Sequence, residues 1–230
     1  MIIFYSQNIN NGVAKLADDE CQHCSKVLRK KMGDNVYITD GKGHLYTGAI
    51  GLISKKEVEI VSLEEIERQD APHRIGIAIS PTKNIDRFEW FLEKATEIGI
   101  TDIYPFLSKR SERKVIKLER LEKRMIAAMK QSKNLHKPTL HPLMALKEVV
   151  SGDIGFENKY IAHCMEPESA LQKLYTSGTD AIVLIGPEGD FTEDEVSLAA
   201  ANKWTEVSLG KSRLRTETAG LVACHLLNLD

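Results

Sequence analysis

Two loops in the C-terminal half of the chain combine glycines with charged and hydroxyl side chains. The first is GPEGDF, residues 186–191, which directly follows the apolar run AIVLI. The second is LGKSRLRTETAG, residues 209–220, which leads into an apolar segment. Glycine lets the backbone approach a ligand closely, while arginine and glutamate can stabilise charge or move a proton. These loops are therefore the first candidates for a binding and catalytic site.

The second loop is not a nucleotide-triphosphate loop, although it contains Gly210, Lys211 and Ser212. That motif requires a glycine five positions before its last glycine, and position 205 is Thr. Ordinary structural interpretations also fit the two loops. GPEG suits a strand-to-helix turn, Thr216 or Thr218 suits a helix cap, and the arginines suit a solvated surface. The residues alone leave both interpretations open.

Composition places the chain among globular proteins. It has 230 residues, of which 42% are hydrophobic and 28% charged, a balance that predicts one or two domains and excludes disordered and collagen-like classes. No apolar run approaches the roughly 18 residues that a membrane span needs, so we expect no membrane partner and a cytoplasmic location. Cys21 and Cys24 form one CxxC without a second ligand pair, which favours reduced cysteines and no metal.

Basic residues are concentrated locally, although the formal net charge is -2. Residues 109–137 hold eleven Lys or Arg against three acids, and a smaller basic cluster lies at residues 26–31. Such clusters can contact RNA phosphates without reading sequence. A solvated charged face explains either cluster equally well when it is taken alone. The residues that we expect to bind RNA are Lys26, Arg29, Lys30, Arg113, Lys114, Arg124 and Lys130.

The elements before residue 75 read as a small β domain. Strand signals at residues 2–5, 35–39, 44–50 and 57–62 surround a predicted helix over residues 18–31. Residues 64–74 are rich in charge and contain Pro72, which favours a linker. We expect one domain over residues 1–70 and a second over residues 71–230.

Strands alternate with helices from residue 75 onwards, which predicts a parallel sheet with helices on its faces. Both glycine loops follow predicted strands, and the carboxyl ends of such strands are where these sheets bind ligands. The predicted strands are residues 75–80, 102–106, 159–163, 181–185 and 206–209. The predicted helices are residues 84–98, 115–132 and 221–227, with a further helix that Thr192 opens in capping-box spacing with Glu195.

The order of these motifs resembles a known family. A GPEG loop, one helix, one strand and then LRTET before a final apolar helix is similar to the C-terminal signature of SPOUT-class RNA methyltransferases. The closer similarity is to the bacterial 16S ribosomal RNA uridine N3 methyltransferase family. EKATEIGITDIYP at residues 93–105 and KRS at residues 109–111 agree, and VLRKKMGDNVYITDGKGHLY at residues 27–46 is similar to that family's PUA-like domain. The resemblance covers nearly the whole chain.

The resemblance implies an α/β fold, with a SPOUT-type parallel sheet and a C-terminal trefoil knot preceded by a small PUA-like β-barrel domain. It implies a homodimer that transfers a methyl group from S-adenosylmethionine to N3 of a specific uridine in the decoding region of 16S ribosomal RNA, within the small ribosomal subunit. Two alternatives stay open: a SPOUT enzyme that acts on transfer RNA or on another ribosomal RNA position, and a non-catalytic RNA-binding assembly factor.

Residue by residue, the resemblance implies a catalytic group around Arg215. Loss of the uracil N3 proton needs a positive group that stabilises the charge left on the base and a group that accepts the proton. We name Arg110 and Arg215 for stabilisation and Glu97 or Glu217 as the carboxylate partner. Glu97 also fits a solvated acid near a helix end. Asp190 and Ser212 stand where the family often has glycine and arginine. The implied cofactor-binding residues are Leu184, Ile185, Gly186, Glu188, Gly189, Leu209, Gly210, Leu214, Thr216 and Thr218.

Overall fold

The computed structural model describes residues 1–165 and 169–229. The chain forms two compact units. The first is Met1–Ala71 together with Ile126–Lys137, and the second is Pro72–Met125 together with Pro138–Asp230.

The first unit is built on a six-stranded sheet with the order β1-β4-β5-β6-β3-β2. Its strand pairs are antiparallel except for β1 with β4. Register shifts between β5 and β6 mark bulges, which bend and twist a sheet. Phe4, Leu16, Ile38 and Ile60 are among the residues of its core. The strands are β1 (Ile3–Tyr5), β2 (Asn8–Asn10), β3 (Val13–Ala17), β4 (Asn35–Thr39), β5 (His44–Ile53) and β6 (Glu57–Arg68).

The helix predicted over residues 18–31 is shorter than predicted. Helix α1 (Asp18–Gln22) continues into a π-helical turn, His23–Val27, and then ends. Arg29 has a positive φ of 51°, which breaks the helical path. Helical packing stops here because no residue after Leu28 continues the buried stripe that Cys21 and Cys24 begin, and Met32 is exposed. Arg29 and Lys30 therefore lie in a loop.

The linker predicted over residues 64–74 is wrong in its first half, because β6 extends to Arg68. Glu65 pairs with Tyr46 and Glu67 pairs with Leu45 of β5. The side chains of this part of β6 are mostly exposed, so they give no apolar alternation, and backbone hydrogen bonds to β5 hold the strand. The short strands β2 and β3 were also not predicted.

The second unit contains a parallel sheet with the order β10-β8-β7-β12-β11-β13, and β9 pairs with β8. Each of these strand pairs is parallel, which confirms the predicted α/β class. The strands are β7 (Ile75–Ile79), β8 (Asp102–Leu107), β9 (Thr139–Leu140), β10 (Met144–Ala145), β11 (Asn158–Ala162), β12 (Ala181–Ile185) and β13 (Thr205–Val207).

Six further helices follow α1 in the described residues. Helix α2 begins as predicted, because the Asn84 side chain accepts a hydrogen bond from the Asp86 N–H at 3.0 Å, and Gly99 ends it with a φ of 113°. The short helices α4 and α5 were not predicted. The helices are α2 (Ile85–Ile98), α3 (Leu118–Ser132), α4 (Leu146–Ser151), α5 (Leu171–Leu174), α6 (Glu193–Ala201) and α7 (Thr216–Leu227).

The parallel sheet is buried on both faces, and β12 makes this visible. Val183 and Ile185 belong to one hydrophobic core, together with Phe91 of α2, whereas Ile182 and Leu184 belong to the core on the opposite face. Successive strand residues point to opposite faces, so a fully apolar run is what a strand in this position requires. Strand β12 ends at Ile185, and the GPEG loop begins there, on the side of the sheet formed by the carboxyl ends of the strands.

Candidate functional site

A cavity of about 790 Å³ lies at the carboxyl ends of β11, β12 and β13. Residues of three segments line it, and each segment follows one of these strands: residues 163–164, residues 186–188 with Asp190, and residues 208–216. The volume is in the range of pockets that take small molecules. The cavity lies wholly within the second unit, at the edge where open parallel sheets bind ligands.

The GPEG loop is held in shape by Asp190. This residue has a φ of 62°, in the left-handed region that glycine and aspartate tolerate best. Its Oδ1 accepts a hydrogen bond from the Phe191 N–H at 2.8 Å, and its Oδ2 accepts one from the Cys164 N–H at 2.9 Å. The aspartate thus keeps the conformation that glycine would adopt and also ties the loop to the segment after β11.

Arg110, from outside the cavity, and Glu188, from its wall, also hold the loop in shape. The Arg110 Nη1 donates to the carbonyl oxygens of Gly189, at 2.7 Å, and Phe191, at 3.2 Å. A Cβ on Gly189 would lie 3.3 Å from the Arg110 Cδ, a tight contact that would make the arginine side chain shift by a few tenths of an ångström. The Glu188 Oε1 accepts from the Lys83 N–H at 2.9 Å. Arg110 therefore acts on the shape of the loop.

The second loop, residues 209–220, places Arg215 in the wall of the cavity, directly before α7. Helix α7 begins at Thr216, five residues earlier than the predicted helix, so Thr216 lies inside the helix. Arg215 is the N-cap residue, and its side chain makes no capping hydrogen bond. The capping roles considered for Thr216 and Thr218 are therefore wrong. The Arg215 side chain is exposed and lines the cavity.

His163 lines the cavity, and no motif in the sequence marks it. Its side chain is 1% exposed, and its Nε2 lies 2.9 Å from the Glu206 Oε2. The Met165 N–H donates to Nδ1 at 3.1 Å, so Nδ1 is the acceptor in this arrangement and Nε2 is the donor of the hydrogen bond to Glu206. The available signal was position, because His163 ends the predicted strand 159–163 at the edge where ligands bind.

Cys164 is an exposed thiol in the wall of the cavity. Partial burial and the neighbouring Asp190 carboxylate raise its pKa above the ordinary value of 9.0, and Arg213 opposes this shift. The thiol is therefore protonated at neutral pH.

The cavity brings together most of the predicted cofactor-binding residues. Leu184, Gly189 and Thr218 do not line it. Leu184 packs in the core on the other face of the sheet, and Gly189 faces Arg110. The predicted residues that line it are Ile185, Gly186, Glu188, Leu209, Gly210, Leu214 and Thr216, and the two departures from the family pattern, Asp190 and Ser212, also line it.

Of the four catalytic candidates, Arg215 lines the cavity, and Arg110, Glu97 and Glu217 do not. The Glu97 Oε1 accepts from the Lys94 Nζ at 2.8 Å on α2. The side chain of Glu217 is 8% exposed, and its Oε1 lies 3.8 Å from the Arg87 Nε. Its Oε2 is buried without a hydrogen-bond partner among the described residues.

Several residues expected to bind RNA have partners within their own unit. The Arg113 guanidinium donates to the carbonyl oxygens of Thr82 and Lys83, at 3.0 and 2.7 Å. Arg124 pairs with Glu89 at 3.3 Å, and Lys130 pairs with Glu20. Exposed side chains remain at Lys26, Arg29 and Lys114, while Lys30 is half-buried.

Neither a metal cluster nor a membrane helix is found in the part of the chain that the structure describes. No group of three or more His, Cys, Asp or Glu side chains could hold a metal ion there. No helix within residues 1–165 and 169–229 is long and apolar enough to cross a membrane.

Comparison with protein families matches both units. Residues 69–228 match the model of an RNA methyltransferase domain, and residues 16–61 match that of an RNA methyltransferase PUA domain. A relative from Rickettsia conorii, named ribosomal RNA small subunit methyltransferase E, is 29% identical over 231 residues, which cover 99% of this chain and 94% of the relative.

Solved structures with similar folds span the whole chain. A probable rRNA-methyltransferase from Porphyromonas gingivalis has a TM-score of 0.88 and 38% identity, and the match covers 99% of this chain and 98% of the other. A ribosomal RNA small subunit methyltransferase E from Neisseria gonorrhoeae, bound to S-adenosyl methionine, has a TM-score of 0.84 and 28% identity, with 97% and 95% covered.

Proposed function

The chain belongs to the RNA methyltransferase family, and from this premise we propose that it methylates N3 of a uridine in 16S ribosomal RNA with S-adenosylmethionine as the methyl donor. The observation that carries the proposal is the cavity between the GPEG loop and the LGKSRLRT loop, at the carboxyl ends of three parallel strands. The names of the relatives point to ribosomal RNA of the small subunit. The base and the atom follow from the sequence resemblance to the uridine N3 enzymes.

The residues of the cavity fit S-adenosylmethionine. Ile185, Leu209 and Leu214 would offer apolar surface to the adenine ring, and Gly186 and Gly210 would offer it backbone groups. A Cβ at Gly210 would meet nothing within 4 Å, so the wall is open at this point. The carboxylates of Glu188 and Asp190 suit the positive charges of the methyl donor.

Residues of the two loops would hold the donor, and Arg215 would act on the uracil. When bound, S-adenosylmethionine supplies a methyl group that is activated by the positive charge on sulfur. The neutral uracil N3 is a poor nucleophile, so its proton must leave as the methyl group transfers. Arg215, exposed at the start of α7, would stabilise the negative charge that develops on the uracil carbonyl oxygens.

The N3 proton needs an acceptor. Neither candidate carboxylate lines the cavity, so a water would carry the proton from the base, and Glu217, two residues from Arg215, is the better placed of the two to receive it. Its Oε2 has no hydrogen-bond partner in the described residues, whereas Glu97 is paired with Lys94. Arg110 would act as a positioning residue, because its two hydrogen bonds fix the carbonyl oxygens of the GPEG loop.

The proposal includes four further expectations from the resemblance. We expect a C-terminal trefoil knot, a homodimer, a cytoplasmic location and a substrate within the small ribosomal subunit. The dimer is checked by the mass in solution, measured by light scattering, which should be twice that of the chain.

Methyl transfer to separated RNA pools tests the proposal. The protein and labelled S-adenosylmethionine are incubated with small ribosomal subunits that lack the modification, and in parallel with transfer RNA. We expect label in the subunits, and a loss of rate of about 100-fold in Arg215→Ala with little change in cofactor affinity. The exposed residue Lys147 provides a matched control variant, Lys147→Gln. Label in transfer RNA alone would support the other substrate, and no label in either pool would support the assembly factor.

A further inference from the structure

A second cleft, of about 450 Å³, opens on the first two turns of α3 and the residue before it. Four cationic side chains and one carboxylate line it: Lys117, Arg120, Lys123, Arg124 and Glu119. All of these residues belong to the second unit. Lys123 pairs with Glu119 at 3.3 Å, which leaves the cleft with an excess of positive charge.

A buried carboxylate lies under the two arginines of this cleft. The side chain of Glu89, on α2, is 5% exposed, and those of Arg120 and Arg124 are 57% and 54% exposed. The Arg120 Nε lies 2.6 Å from the Glu89 Oε1, and the Arg124 Nε lies 3.3 Å from Oε2. The Oε1 atom lacks a hydrogen bond of good alignment among the described residues, so the pair with Arg120 is ionic.

The contact with Glu89 leaves more than half of each arginine side chain exposed. Each arginine contacts Glu89 through Nε, the nitrogen nearest its aliphatic stem. Two arginines one helical turn apart repel each other, and a buried carboxylate between them offsets that repulsion and fixes both side chains. Forks of N–H donors held in this way match the oxygens of a phosphate group.

We propose that Glu89 preorganises Arg120 and Arg124 into a phosphate-binding cleft, flanked by Lys117 and Lys123, that grips the backbone of the RNA substrate. The inference rests on the proposed function, since it assigns a place to the same substrate. Glu89 is a positioning residue here, and the two arginines make the contacts. Arg113 contributes nothing to this cleft, because its guanidinium is committed to backbone carbonyl oxygens.

The variant Glu89→Gln separates this proposal from a simple charge effect. Removal of a negative charge next to a phosphate site should strengthen RNA binding if only net charge matters. Preorganisation predicts the opposite sign: a loss of affinity for 16S ribosomal RNA of about threefold to tenfold. Filter binding over a series of salt concentrations measures both the affinity and the number of phosphates neutralised.

Variants of the two arginines complete a mutant cycle with Glu89→Gln. Arg120→Gln and Arg124→Gln should each weaken binding about tenfold and make the slope of log K against log salt shallower by ~0.7–0.9, the value of one phosphate contact. Adding Glu89→Gln to the double arginine variant should cost nothing further, because no side chain remains to be positioned. Lys147→Gln, a charge change on α4 outside the cleft, should leave the affinity close to that of the wild type.

Two readouts keep the outcomes distinct. Affinity for S-adenosylmethionine and the midpoint of thermal unfolding show whether each variant is folded and keeps its cofactor cavity. Equal or tighter RNA binding by a folded Glu89→Gln would overturn the proposed positioning role. Unchanged binding by both arginine variants would overturn the cleft itself, whereas a wild-type protein that binds no ribosomal RNA would instead contradict the proposed function.

Discussion

Asp190 and Cys164 illustrate how single residues shape the cavity. Asp190 takes a left-handed backbone conformation, which glycine adopts most easily, and its side chain accepts a hydrogen bond from the Cys164 N–H. Sequence could predict that the loop needs a residue that tolerates positive φ. It could not predict the bond to Cys164, because the two residues are 26 positions apart.

Leu184 shows a limit of transferring residues by resemblance. It lies next to Ile185 in the sequence, but the two side chains lie on opposite faces of the sheet. The alternation of side chains along a strand implies that neighbouring residues cannot both face one cavity. His163, in contrast, belongs to no motif in the sequence, and only its position at the end of a predicted strand pointed to the cavity that it lines.

Alkylation of Cys164 should report on the cofactor cavity. Because its pKa is raised, the rate of reaction with iodoacetamide should be slow at pH 7 and should climb as the pH passes 9. Saturating S-adenosylmethionine should slow the reaction at pH 9, since the thiol lines the cavity. Mass spectrometry of the modified peptide measures both effects.

The three buried cysteines, Cys21, Cys24 and Cys224, are internal controls for this experiment and should stay unmodified in the folded protein. A rate at Cys164 that does not change with S-adenosylmethionine would mean that the donor binds elsewhere.

At the scale of elements, burial decided what could be predicted. Strands β7 and β12 are buried on both faces and therefore appear as continuous apolar runs in the sequence. Residues 64–68 of β6 are exposed and mostly charged, and the first turn of α7 is polar. Neither segment therefore shows a periodic pattern of hydrophobic residues. Pairing partners and neighbouring helices determine such segments, and a single sequence does not contain that information.

Asp102, the first residue of β8, should make the stability of the protein decrease at acidic pH. Burial alone would raise the pKa of Asp102, but hydrogen bonds from His141, Arg74 and Thr101 outweigh it and hold the pKa below its ordinary value of 3.8. The group therefore stabilises the fold above its unfolded pKa, and this contribution is lost as the pH falls through the folded value.

Asp102→Asn should cost about 1–3 kcal/mol of unfolding free energy at pH 7, because it removes the charge that these donors contact. The difference from the wild type should shrink as the pH falls from 5 towards 2. Urea unfolding at a series of pH values measures it, and Asp70→Asn, at an exposed position, is the control. A difference that does not depend on pH would show that the charge of Asp102 is not the cause.

Helix α7 approaches α2 and β7 closely at Gly220. A Cβ at this position would lie 2.8 Å from the Phe91 Cε2 and 2.9 Å from the Ile79 Cδ1. Gly220→Ala should therefore destabilise the protein by about 1–3 kcal/mol despite the better helix propensity of alanine, measured by urea unfolding. Combination with Phe91→Leu should cost less than the sum of the two changes, and strict additivity would argue against the steric cause.

At the scale of the whole molecule, the cavity and the cleft lie in the same unit. The second unit contains both the cavity and the cleft at Glu89, and the first unit matches an RNA methyltransferase PUA domain. The net charge of -2 conceals this organisation, because the basic residues of α3 are balanced by acids elsewhere in the chain. Local clusters of charge are therefore more informative about RNA contacts than the total.

The most direct measurement is the identity of the base that the protein methylates. Small ribosomal subunits that lack the modification are incubated with the protein and S-adenosylmethionine, and the RNA is digested to nucleosides for mass spectrometry. We expect 3-methyluridine, formed by the wild type and nearly absent with Arg215→Ala. A different methylated nucleoside, or none from a protein that binds S-adenosylmethionine, would contradict it.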